Sequence, residues 1–129
     1  GLSPDGRTLY FAESVTGRLW ACDIAAPGKL AGSTGGPGRM VMVLGSFQHF
    51  DSLAVEADGK ICVASVFPGA ITIADPGGVF EQLCCPDPFT TNICFAGDDM
   101  RDAYITSSAS GTLHRVRWPR PGLKLNFNA

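Results

Sequence analysis

The sequence lacks a surplus of charge of either sign, and it lacks any long hydrophobic run. Its 129 residues carry 10 basic and 12 acidic side chains, which leaves a formal net charge of −2. Surfaces that bind nucleic acids need clustered positive charge, so we expect no nucleic-acid partner. The apolar run at residues 40–44 is far shorter than the roughly 18 residues of a membrane span, so we expect no membrane partner.

Short motifs that mark common catalytic and metal sites are also missing. No GxSxG, HExxH, P-loop or GxGxxG occurs, which removes the usual fingerprints of serine hydrolases, zinc proteases and nucleotide-binding proteins. The five cysteines are an odd number and include no CxxC pair, so neither a disulfide framework nor a zinc knuckle is indicated. Cys22, Cys62 and Cys94 lie in apolar runs and are expected to be buried, and the pair Cys84 and Cys85 is expected to pack at a strand end. Reduced thiols favour a cytoplasmic location.

Helix-forming residues are scarce and turn-forming residues are abundant. The chain has three lysines against 16 glycines and 9 prolines, a composition typical of an all-β protein with many short connections. Three segments repeat one plan, in which an acidic turn is followed by a strand, a glycine and a second strand. The recurring glycines are Gly17, Gly69 and Gly111, at spacings of 52 and 42 residues. Repeats of this length are typical of β-propeller blades.

Each repeat is predicted to contain four antiparallel strands, A to D. Strand A precedes the acidic turn (53–56 and 93–95), B follows it, C follows the recurring glycine, and D follows a second turn (40–44 and 79–84). We expect one partial propeller domain over residues 1–129, with blades at about 1–46, 47–86 and 87–127. The segment 25–39 is predicted to be a surface loop. A β-sandwich is the alternative, because its turn spacing is similar.

Polar residues at the start of strand A should line one end of the central channel. These residues are Asp51, Thr91 and Asn92, and His49 lies in the crossing that leads to the first of them. Oxygen ligands there could hold Ca²⁺ or Mg²⁺, but a solvated or capping carboxylate is the interpretation that position alone favours for Asp51. Position alone likewise favours a packing role for His49.

Four motifs, in order along the chain, resemble the gluconolactonase/regucalcin (senescence marker protein) family. They are LSPDGRTLY at 2–10, FDSLAV at 50–55, TNICFAG at 91–97 and WPRPG at 118–122. The resemblance implies a six-bladed propeller, of which about three blades would be present here. It also implies one divalent cation, Ca²⁺ or Mg²⁺ ahead of Zn²⁺ or Mn²⁺, and hydrolysis of sugar lactones or related esters.

The resemblance also assigns roles to particular residues. Asp51 corresponds to a metal ligand and catalytic base, while His49, Thr91 and Asn92 become candidate substrate-binding groups. Ser52 stands where the family commonly has glycine. The family's other metal ligands, a glutamate and asparagines of earlier blades, have no counterpart here. We therefore expect the chain to represent a C-terminal portion, with weak metal binding and little turnover by itself.

Two further readings remain open. One is a propeller module without enzymatic activity that binds a partner through its loops, and the other is a strictosidine-synthase-like propeller, which shares the architecture without the same metal ring. In addition, half a propeller would leave apolar blade faces and open strand edges exposed. We therefore expect self-association, which a stable monomer in light scattering at high concentration would contradict.

Overall fold

The computed structural model describes residues 1–32 and 38–126, and every regular element in them is a β-strand. The eleven strands are β1 (Thr8–Glu13), β2 (Arg18–Ala26), β3 (Lys29–Leu30), β4 (Arg39–Val43), β5 (His49–Val55), β6 (Ile61–Val66), β7 (Ala70–Ala74), β8 (Phe80–Cys84), β9 (Thr90–Ala96), β10 (Asp102–Ser107) and β11 (Thr112–Arg117). No helix in these residues is long and apolar enough to cross a membrane.

The strands form three antiparallel sheets, in the order in which they occur along the chain. β1, β2 and β4 with the short β3 make the first sheet, β5 to β8 the second, and β9 to β11 the third. The middle sheet is the complete four-stranded meander predicted from the repeat. In the first sheet, the short segment Gly1 to Ser3 pairs beside β1, at the place predicted for strand A.

Two predictions were wrong, one about the number of strands in the third repeat and one about the segment 25–39. The third sheet has three strands within the described residues, because the chain turns away after β11 at Trp118-Pro119, and proline cannot donate a hydrogen bond to a sheet. The segment 25–39 is not a loop throughout, since β2 continues to Ala26 and pairs with β3 across a Pro27-Gly28 turn. The part of that segment at residues 33–37 lies outside the described residues.

The middle sheet is covered on both faces, which explains its continuous apolar runs. In β6, Ile61 and Val63 belong to the core shared with the first sheet. Cys62 and Ala64, which point the other way, belong to the core shared with the third sheet. A sheet packed between two others has no polar face, so strand residues on both sides are apolar. This arrangement also rules out the two-layer β-sandwich.

The outer strands, which are the last strands of the second and third sheets (β8 and β11), are much more exposed to solvent than the inner strands β5 and β9. All five residues of β8 are exposed, among them Phe80 and Leu83, and Leu113 and Val116 are exposed on β11. Exposed apolar groups on outer strands are consistent with the expected self-association, which stays a prediction.

The cysteines only partly follow the sequence-based expectation. Cys22 and Cys62 are buried as predicted, but Cys94 is exposed. Its neighbours Ile93 and Phe95 point into the core shared with the middle sheet, so Cys94 points to the opposite face of β9, which no other sheet in the described part of the chain covers.

The recurring glycine is required by backbone conformation, and in one repeat also by space. Gly17, Gly69 and Gly111 all have φ values of 61–65°. A Cβ on Gly69 would overlap the carbonyl of Asp87, whereas a Cβ on Gly111 would meet no atom within 4 Å. We expect Gly111→Ala to cost about 1–2 kcal/mol of unfolding free energy for the left-handed backbone alone.

Gly69→Ala should lose about 1–3 kcal/mol more than Gly111→Ala, because the neighbouring backbone must move as well. Urea denaturation of the two variants measures the difference. Equal losses would show that the contact with Asp87 is not needed for stability.

Candidate functional site

The inner strand β5 contains a β-bulge at Asp51 and Ser52. Its pairing with β6 shifts between Phe50 and Leu53, so that two residues of β5 face one residue of β6. Bulges re-aim side chains and are frequent beside active sites. The Asp51 carboxylate is exposed and accepts one long hydrogen bond, 3.4 Å from the Ser52 hydroxyl.

The next inner strand, β9, has a bulge at the corresponding place. Its pairing with β10 shifts at Thr106 and Ser107, which leaves Thr91 as the extra residue. The Thr91 hydroxyl lies 2.9 Å from the Thr106 hydroxyl and 3.0 Å from the Ser108 hydroxyl. The Asn92 side chain is exposed.

The two bulges are related by the repeat. Thr91 and Asn92 follow Asp51 and Ser52 by 40 residues, and β5 and β9 are neighbours in space. The structure therefore places Asp51, Thr91 and Asn92 at the same end of adjacent inner strands. Ser52 joins this set. Ser52 departs from the glycine that is common in the family, and the 40-residue offset pairs it with Asn92.

An open groove of about 710 Å³ runs along the inner strands. Its walls are mainly apolar and include Leu53, Val55, Ile93 and Phe95, with Asn92 among the polar lining groups. Of the four predicted site residues, Asn92 alone lines it. Asp51, Thr91 and His49 lie outside its lining.

The oxygen atoms at the two bulges are of the type that binds a hard cation, but there are too few of them to complete a site. Asp51 offers a carboxylate, Asn92 an amide oxygen, and Ser52 and Thr91 hydroxyl oxygens, which are the ligand types that Ca²⁺ and Mg²⁺ prefer. Among the described residues, no three His, Cys, Asp or Glu side chains come close enough together to hold a metal ion. Calcium takes six to eight oxygens, so these groups would form one side of a site.

His49 lies within a cluster of aromatic rings. Its ring centroid is 4.8 Å from that of Phe47 and 4.9 Å from that of Phe67. Phe67 also contacts Phe47 at 4.7 Å and Phe89 at 5.6 Å. We call these four residues the aromatic rim. His49 thus packs against two rings of the rim, and sequence reasoning missed the three phenylalanines.

Asp87 fixes the loop that leads into β9. It is buried, and it accepts hydrogen bonds from the Phe89 amide at 2.7 Å, the Ser110 amide at 2.8 Å and the Ser110 hydroxyl at 2.7 Å. The bond from the Ser110 hydroxyl and those from the two amides hold the pKa of Asp87 below its ordinary value. These bonds tie Phe89 and the start of β9 to the loop between β10 and β11.

Three aspartates, Asp5, Asp58 and Asp75, have a structural role in turns. Asp5, Asp58 and Asp75 each accept a hydrogen bond from the backbone amide two residues later. Such bonds stabilise turns locally, and Asp58 lies in the turn at the opposite end of β5 from Asp51.

Antiparallel sheets packed side by side around their inner strands, with polar bulges at one end of those strands, define part of a β-propeller. A sequence model of the SMP-30/Gluconolactonase/LRE-like region matches residues 1–109. The chain belongs to this family, which confirms the resemblance carried by the four motifs.

Individual relatives give the same assignment. The chain is 29% identical to regucalcin of Xenopus laevis over 113 residues, which cover 84% of this chain and 36% of the relative. Identity to regucalcin of Gallus gallus is 28% over the same coverage. The chain thus spans little more than a third of the length of these relatives.

Solved structures agree on the fold. A calcium-binding protein, regucalcin, from Agrobacterium tumefaciens strain C58 superimposes with a TM-score of 0.72 at 23% identity, covering 96% of this chain and 48% of that one. A luciferin-regenerating enzyme superimposes with a TM-score of 0.72 at 18% identity, covering 99% of this chain and 38% of that one. At these identities the likeness shows the fold alone.

Proposed function

We propose that this chain forms part of the active site of a hydrolase that uses a divalent cation to open sugar lactones or related esters. The observation that carries the proposal is the pair of equivalent bulges, which present Asp51 and Asn92 at one end of adjacent inner strands. Membership of the gluconolactonase-like family supports the reaction class. The description of the Agrobacterium regucalcin as calcium-binding supports the choice of cation.

Asp51 is the residue that would hold the cation and act as base. Its carboxylate is exposed and bonded only weakly to Ser52, so ligand binding would cost few existing interactions. A bound divalent cation supplies Lewis-acid polarisation of a carbonyl and makes a bound water more acidic. The second oxygen of Asp51 can orient the attacking water and accept its proton.

The neighbouring polar groups would orient the substrate. The exposed Asn92 amide can donate to, and accept from, hydroxyl groups of a sugar acid. The Thr91 hydroxyl already lies within hydrogen-bond distance of two other hydroxyls, so it is held in place and keeps limited capacity for a ligand. We assign binding to Asn92 first and to Thr91 second.

A chelation experiment on the full-length gene product tests the proposal. We expect hydrolysis of glucono-δ-lactone to be lost on treatment with a chelator and restored by Ca²⁺ or Mg²⁺, because one carboxylate cannot activate water to the same degree without the ion. The 129-residue chain alone should bind Ca²⁺ weakly, since it offers one side of a site. Hydrolysis that is insensitive to the chelator would contradict the role of the cation, and a folded protein without turnover would contradict the proposed reaction and favour a binding module.

A further inference from the structure

The aromatic rim is an exposed apolar surface built from three separate loops. Phe47 lies in the crossing to β5, Phe67 in the loop between β6 and β7, and Phe89 in the crossing to β9. These residues are 70%, 41% and 40% exposed, although each ring contacts another ring of the rim. Contiguous exposed apolar patches on soluble proteins commonly mark binding surfaces.

The backbone holds these rings in place at a conformational cost. Phe67 has a φ of 78°, and Ser46, directly before Phe47, has a φ of 60°. Non-glycine residues adopt such conformations rarely, and they concentrate at ligand clamps and active sites. The Phe67 amide donates a 2.7 Å hydrogen bond to the Pro88 carbonyl, which joins the loop that carries Phe67 to the crossing that carries Phe89.

The rim lies beside the candidate site. His49 precedes Asp51 by two residues on β5, and Phe89 precedes Thr91 by two residues at the start of β9. The backbone amide of Phe50, between His49 and Asp51, is bonded to the Ser14 carbonyl in the loop between β1 and β2, so all these groups share one end of the propeller. A substrate held at Asp51 and Asn92 would therefore have the rim within reach.

We propose that the aromatic rim binds an apolar substituent on the substrate of the proposed hydrolase. The preferred substrates would then be lactones or esters that carry an aryl or alkyl group, in preference to bare polyhydroxy lactones. Tilted and edge-on packing of the rim rings leaves ring faces and edges available to a further aromatic group, the geometry that aromatic pairs favour. The claim about which substrates are hydrolysed rests on the proposed function. The claim that the rim binds an apolar group does not.

Kinetics with two lactones test the substrate preference. The full-length gene product is assayed with γ-phenyl-γ-butyrolactone and with γ-butyrolactone, which lacks the ring. We expect kcat/KM to be about tenfold or more higher for the phenyl compound, and Phe47→Ala to lower kcat/KM for the phenyl compound more than for γ-butyrolactone, so that most of that preference is lost. Phe80→Ala is the control, because Phe80 is also an exposed phenylalanine, at 43%, but lies on the outer strand β8.

An equilibrium measurement separates the rim from the chemistry. The probe is 4-hydroxy-4-phenylbutyrate, the ring-opened product, with 4-hydroxybutyrate as its ring-free control. We expect the phenyl probe to bind wild type and Phe80→Ala alike, and Phe47→Ala several-fold more weakly. Binding of this pattern without any lactone hydrolysis would overturn the proposed reaction and support the rim. Chelator-sensitive hydrolysis with equal rates on both lactones in wild type and Phe47→Ala would overturn the rim inference alone.

Discussion

Replacing Glu56 with alanine should lower the free energy of unfolding by about 3–5 kcal/mol, the cost of breaking a buried ion pair from one side. Glu56 is fully buried in the turn after β5. It accepts a hydrogen bond from the Trp118 indole at 2.6 Å, one from the Cys62 thiol at 3.2 Å and two from the Arg120 guanidinium. Its loss would leave a buried indole N–H and a half-buried cation without a partner.

The same contacts anchor the C-terminal segment, which is why the effect should be large. Residues 118–123 leave the third sheet and cross to the turn after β5, where the Ala57 amide bonds the Pro121 carbonyl at 2.9 Å and the Leu123 amide bonds the Val55 carbonyl at 2.8 Å. Trp118 packs in the core between the middle and third sheets, edge-on to Phe95. Weakening this segment therefore weakens the contact between two sheets.

Urea denaturation of matched variants measures the effect. Asp99→Ala is the control, because the pair that Asp99 forms with Arg117 is exposed and should contribute little. The double variant Glu56→Ala/Arg120→Ala should lose less than the sum of the single variants, since no uncompensated charge remains. A loss for Glu56→Ala no greater than that for Asp99→Ala would contradict this account of the segment.

The network also predicts how stability depends on pH. Burial acts to raise the pKa of Glu56, but the bonds from Arg120, Trp118 and Cys62 outweigh it and place the pKa below its ordinary value. Because the pKa of Glu56 is lower in the folded protein than in the unfolded chain, its ionised form stabilises the fold. This stabilisation is complete above the ordinary carboxyl pKa, about 4.3, and is lost as the pH falls through the lowered pKa of the folded state. The difference between wild type and Glu56→Gln should therefore shrink as denaturation is measured from pH 7 towards pH 3.

Replacing Asp51 with asparagine should reduce kcat/KM for lactone hydrolysis by about 100-fold or more. Mutating a residue that only hydrogen-bonds a metal ligand typically lowers metal affinity or activity by about 10- to 100-fold. Mutating a direct ligand should lower activity at least as much. Stability should change little, because the Asp51 side chain is exposed and, among the residues the structure describes, its one hydrogen bond is the long contact with the Ser52 hydroxyl. The measurement is steady-state kinetics at saturating Ca²⁺, with an unfolding curve for each variant.

Asp58→Asn provides the matched control for Asp51→Asn. Asp58 is an exposed aspartate at the other end of the same strand, where it bonds the Lys60 amide in the turn. We expect this variant to keep its activity. If both variants retain activity, or both lose it together with stability, Asp51 has no special role in the reaction.

Local signals in the sequence were sufficient to predict most of the strands. Acidic turns before an apolar run, and a glycine that adopts a positive φ after it, gave strands β1, β2, β6 and β7 because turn chemistry is decided by neighbouring residues. The path after β11 could not be predicted in this way. It depends on Glu56, whose partners Trp118 and Arg120 lie more than 60 residues away in the sequence.

The candidate site was predictable in part for the same reason. Asp51 and Asn92 stood out because polar residues open otherwise apolar inner strands, and the repeat placed them at one end. The bulges and the aromatic rim were not predictable, since a bulge is a mismatch between two strands and the rim joins loops from three places in the chain.

A crystal structure of the full-length gene product grown with Ca²⁺ would test the central claim most directly. The account predicts an ion at the channel end with a carboxylate oxygen of Asp51 about 2.3–2.6 Å away, the usual distance for calcium–oxygen bonds in proteins. An ion bound elsewhere, or at that end without Asp51 among its ligands, would contradict the account and return Asp51 to a solvated carboxylate on a bulged strand.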